Sequence, residues 1–142
     1  MSNTLFVHGR QGFLDGSIDW DTDGIRVALI DHGVDTPNTT LDSLTTALSA
    51  GAFVKISDEA EAGTGFLTGL LTTKTTTSGI ADAADVTLTA VSGNSVESII
   101  LFKASTSRLI AYIDTATGLP LTPNGGDVTI AWDSGASKIF ML

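Results

Sequence analysis

The residues best spaced for chemistry are the carboxylates of Asp19-Trp20-Asp21-Thr22-Asp23-Gly24. The pattern D-x-D-x-D-G opens a calcium loop, in which alternate carboxylates converge on one cation and glycine allows a sharp turn. The closing bidentate ligand is missing, because the loop's last position falls on Ile30, inside an apolar run. This is not an EF-hand. The expected state is an acidic turn ahead of a strand, with no metal assigned to Asp19, Asp21 or Asp23.

Other constellations are weaker. His8 and His32 are the only histidines, and neither has a second histidine or a cysteine close in sequence to complete a zinc set. Asp31 beside His32 invites a dyad, but neighbours on a strand point to opposite faces. No G-x-S-x-G elbow is present, and Gly63-Thr64-Gly65 lacks the G-K-[ST] ending of a phosphate loop. Gly9 to Gly12 is too short for a dinucleotide fingerprint. Asn38-Thr39-Thr40 matches a glycosylation acceptor, a pattern common by chance. These residues predict no catalytic site, no cofactor and no enzyme.

Composition narrows the partners. The 142 residues carry a net charge of −9, and the seven basic residues are scattered from Arg10 to Lys138. Nucleic-acid binding needs clustered positive charge to displace counterions, so no nucleic-acid partner is expected. There is no cysteine, which leaves packing or oligomerisation to supply stability. No apolar run approaches the roughly 20 residues that span a bilayer, so no membrane partner is expected. Met1 to Asn3 has no basic region and Gly9 to Gln11 interrupts the apolar stretch, so no signal peptide is expected.

The elements that would position these residues are mostly strands. Val86, Leu88 and Ala90 alternate with threonines, as do Val128, Ile130 and Trp132 with Thr129 and Ala131. Apolar runs at 25–31, 96–103 and 108–114, and the closing 138–142, add further strands. The last of these predicts a strand locked into a sheet rather than a free arm. Gly93-Asn94 reads as a hairpin turn. The Thr-rich part of 65–76 predicts a strand, as do 80–92 and 52–57, with 58–65 an exposed loop. Ser2 to Leu14 predicts a short helix capped by Ser2 or Asn3 and ended at Asp15-Gly16. Leu41, Leu44 and Leu48 are at helical spacing, with Gly51 as the stop. The expected fold is one mainly-β domain over 1–142. It is an antiparallel β-sandwich, in a jelly-roll-like variant if the connections allow, with one or two short helices in the N-terminal half.

Leu5, Phe6, Phe13 and Trp20 carry two readings. Their apolar side chains pack the helix onto the sheet, or they dock a neighbouring subunit, since Trp and Phe are common interface anchors.

Several segments resemble a family of small structural proteins of tailed bacteriophages. They are Gly12 to Trp20, Ile80 to Gly93, Leu109 to Pro120, Pro123 to Trp132 and Lys138 to Phe140. The resemblance covers most of the chain and is weakest over 35–71. It implies a virion component without catalytic residues. The specific expectation is a capsid decoration (cement) protein on the outer capsid surface. Its partners would be the major capsid protein and copies of itself, a trimer by analogy with cement proteins at local three-fold positions. The alternatives are a tail, neck or fibre-base component and, more remotely, a carbohydrate-binding β-sandwich module stacking sugars on Trp20, Tyr112 and Trp132.

Overall fold

A computed structural model describes residues 3–33, 68–93, 95–106 and 108–142. Three six-residue strands form its centre: β2 (Ile25–Ile30), β6 (Ser98–Lys103) and β7 (Arg108–Ile113). Their interiors are buried almost without a break, because both faces of the sheet are covered. The short strands β1 (Thr4–Leu5) and β3 (Thr68–Leu70) complete a five-stranded antiparallel sheet, ordered β1-β7-β6-β2-β3.

Alternation sorts the side chains into two cores. Val27, Leu29, Ile99 and Leu101 face one side, and Ala28, Ile30, Ile100 and Phe102 face the other. Cross-strand partners agree with this: Val27 lies opposite Leu101, and Ile100 opposite Tyr112. The register slips once. Leu101 pairs with Ala111 and Phe102 with Leu109, so Ile110 is the extra residue of a bulge. The bulge puts both Ile110 and Ala111 in the first core. It also presents the Ile110 carbonyl to the N–H of Phe6, at 2.9 Å.

That bond seats the helix α1 (Val7–Asp15) on the sheet margin. Gly9 lies so close to β7 that a Cβ would come within 2.6 Å of the Ile110 carbonyl oxygen. Arg108 ties the helix further, donating from Nε to the His8 carbonyl at 3.0 Å. The helix therefore covers the stretch of β7 that the two-residue β1 leaves open, which protects a sheet edge. Gly16 closes the helix at φ 79°, where a β-carbon would be strained. The start differs from expectation. Phe6, not Ser2 or Asn3, holds the N-cap position, and no side chain caps it. Asn3 instead accepts from the N–H groups of Asp114 and Thr115.

Two ribbons lie over the first core. One pairs β4 (Ile80–Ala81) with β9 (Phe140–Met141), and the other pairs β5 (Val86–Leu88) with β8 (Val128–Ile130). Val86 and Leu88 pack down onto Gly69 of β3, where an added Cβ would approach them to 2.3 and 2.7 Å. The fold is mainly β, with antiparallel sheets and one helix near the N-terminus, as expected.

Some sequence expectations need correction. The expected strand over 80–92 is split between β4 and β5, which have different partners. The Thr-rich strand ends at Leu70. Thr73 sits at φ 52°, off the extended region, and only Thr75 returns to a bridge, with Asp82. The strands on either side of the expected Gly93-Asn94 turn are not a hairpin, because β5 pairs with β8 while β6 pairs with β2 and β7. The connection changes layers. The helix expected around 41–48, the strand at 52–57 and the loop at 58–65 lie outside the described residues.

Candidate functional site

The four apolar residues singled out near the N-terminus are placed unequally. Phe6 is fully buried in the second core, edge-on to Tyr112 with ring centroids 6.4 Å apart. Trp20 is buried in the first core, and its indole N–H donates to the Asp82 carbonyl at 3.1 Å. Both are committed to the fold's own interior. Leu5 and Phe13 are half-buried. Phe13 and Trp20 meet on Phe140 of β9, with centroid separations of 5.6 and 5.2 Å.

The acidic loop uses its carboxylates on itself. Asp19 accepts from the N–H groups of Asp21 and Thr22, and Asp23 accepts from the N–H of Asp19 at 2.8 Å. Asp21 accepts from the Thr76 hydroxyl. Lys103 bridges to Asp23 at 2.9 Å and donates to the Ser17 carbonyl at 2.7 Å, which pins the loop to β6. Partial burial works against the charge on Asp23. The Asp19 N–H and Lys103 outweigh it and hold the carboxyl below its ordinary range. Among the described residues, no three or more His, Cys, Asp or Glu side chains could hold a metal ion.

A second polar cluster was not legible in the sequence. His32 stacks on Tyr112, and its Nε2 lies 2.8 Å from Ser98 Oγ and 3.4 Å from the Tyr112 hydroxyl. Tyr112 donates to Asp114 at 3.2 Å. Glu97 accepts from the His32 N–H at 2.8 Å and from the Ser95 hydroxyl. Asp31 accepts from the Gly33 N–H at 2.7 Å, while the His32 ring meets Ser98 and Tyr112. Burial first, then the Asp114 charge, pushes the Tyr112 phenol up to about 12. Ser98 is fully buried and its hydroxyl is engaged by His32. The arrangement satisfies polar groups at the margin of the second core. The residues stand 66 and 80 positions apart. Only the strand register, which sets Ser98 opposite Ile30 and Tyr112 opposite Ile100, brings them together.

Surface concavities gather around the ribbons. A cavity of about 290 Å³ lies between the end of α1, the acidic loop and the β4–β9 ribbon. Its walls include Phe13, Ile18, Trp20, Ile80 and Phe140. A groove of about 640 Å³ runs beside β8 and β9, past Thr115, Thr117, Trp132 and Lys138. Trp132 is half-buried there, and its indole N–H donates to the Ala84 carbonyl. With Trp20 and Tyr112 buried, Trp132 alone of the three named aromatics faces this groove. Among the described residues, no helix is long and apolar enough to cross a membrane. No protein-family model, curated protein or solved structure matches this chain.

Proposed function

We propose that this chain is a structural component of a tailed-bacteriophage particle, acting as a capsid decoration (cement) protein. It binds the outer shell across joints between major capsid subunits, together with copies of itself. The observation that supports this reading is where the phage-like segments meet. Gly12 to Trp20, Ile80 to Gly93 and Lys138 to Phe140 are far apart in sequence, yet they supply most of the wall of one surface cavity. Leu109 to Pro120 and Pro123 to Trp132 supply most of the neighbouring groove. The resemblance thus falls on a continuous shaped surface as well as on the core.

The mechanism is passive. Each copy binds the assembled shell and not its dissociated subunits, so bound copies stabilise the shell by mass action. A standard interface of about 1,600 Å² suffices for specific binding without any reaction. The test is to add purified protein to particles lacking it and measure bound copies and the temperature at which DNA is released. Saturable binding and a higher release temperature are expected. Particles that neither bind the protein nor gain stability would contradict the proposal. A few copies confined to one vertex or the tail would assign it to the neck or tail instead.

A further inference from the structure

The cavity between α1 and the β4–β9 ribbon has a specific composition. Phe13, Ile18, Trp20, Ile80, Ala81 and Phe140 make an apolar floor, and Leu142, 63% exposed, stands at its mouth. At about 290 Å³ it is at the lower limit for a small-molecule site and fits one large side chain. The rim is acidic. Asp19 lines the cavity, Asp15 precedes the lining Gly16, and Asp21 holds the lining Thr76. Lys103 neutralises Asp23, and Lys138 lies 3.7 Å from Asp82. The Arg108 guanidinium attracts the Asp15 carboxylate, whereas Asp19 and Asp21 form no ion pair among the described residues.

We infer that this cavity is a docking socket for a basic segment of a partner protein, in which one large apolar side chain is flanked by Lys or Arg. The apolar side chain fills the socket, as buried anchors do at interface hot spots. The flanking cations meet the acidic rim, which steers encounter and excludes acidic partners. A second copy of this chain is the poorer occupant. It carries the same net charge of −9 and would bring its own acidic rim against this one. The inference deepens the virion reading, on which it rests only for the partner's identity.

The test uses the full chain and a fluorescent peptide with one phenylalanine between pairs of lysines. Binding is expected to perturb the amide signals of Phe13, Ile80 and Phe140, and to weaken with added salt. Replacing the peptide's phenylalanine by alanine, or filling the socket with Ile80→Trp, should each weaken binding on the order of tenfold. Asp19→Asn with Asp21→Asn keeps an acceptor oxygen at each site. It should leave melting unchanged, lower affinity severalfold and flatten the salt dependence. No binding, equal binding of a glutamate-flanked peptide, or perturbations confined elsewhere would overturn the socket. Particle occupancy of Ile80→Trp is measured in parallel. Normal occupancy with failed peptide binding removes the socket and leaves the virion reading. Peptide binding at the socket with no particle binding removes the virion reading and leaves the socket.

Discussion

The five-stranded sheet and the ribbons lying on it are made of different material. In β2, β6 and β7 nearly every residue is buried, and the strands pair with each other over most of their length. The ribbon strands run for only two or three residues. They bury one side, as Val86 and Leu88 do, and expose the other, as Thr87 and Thr129 do with a hydroxyl contact at 3.1 Å. Burial of both sheet faces supplies the stability, since each fully buried apolar side chain contributes roughly 1.5–3 kcal/mol. The ribbons and the end of α1 form the cavity and groove that face outward. On the proposed reading, one layer holds the fold and the other presents the binding surface.

Mutation should separate the two layers. Leu101→Ala opens a hole in the first core and should cost about 2–5 kcal/mol in denaturant unfolding. Val128→Ala, in half-buried β8, should cost about 1 kcal/mol. Equal losses would erase the distinction. Gly9→Ala probes the joint between helix and sheet. The nearest atoms are backbone atoms of Leu109 and Ile110, which cannot rotate away, so a loss of about 1–3 kcal/mol is expected.

Alkaline pH should weaken the sheet through Tyr112. Its folded pKa is raised from 10.0 to about 12, so the folded state holds the phenolic proton more tightly than the unfolded chain. The stabilisation is complete below pH 10 and lost as pH rises through about 12, a change of about 3 kcal/mol. Tyr112→Phe should flatten that slope in a pH series of unfolding curves. The smallest effect is expected at the acidic loop. Lys103→Met removes the bridge to Asp23, which is partly exposed, and should cost about 1 kcal/mol or less. Asp23 has its pKa lowered in the fold, so its contribution is present above the unfolded carboxyl pKa and lost as pH falls through the folded one. The Lys103→Met variant should lose less stability on acidification than the parent.

The sequence was most readable where burial is continuous. Ile25 to Ile30, Ser98 to Lys103 and Arg108 to Ile113 announce themselves as apolar runs, and the helix stop at Gly16 follows from its lack of a β-carbon. Layer membership was not readable. Val86 to Leu88 and Ser98 to Lys103 look like neighbours across a Gly-Asn turn, yet tertiary packing sends them to different sheets. The Thr-rich stretch has strand propensity, but Thr73 leaves the extended region and the ladder stops. Of the proposed interface residues, pattern could mark Phe6 and Trp20 as apolar anchors. It could not show that Tyr112 and Phe140 already pack against them. The socket was invisible because its walls come from three separate segments, 13–20, 76–81 and 140–142.

On the proposed reading, the most direct measurement is a density map of intact phage particles assembled with this chain, with the count of its copies. The expected result is this fold on the outer shell, at a copy number comparable to that of the major capsid subunit, with the ribbon layer and the end of α1 against that subunit. Purified particles that lack the protein would contradict the proposed function.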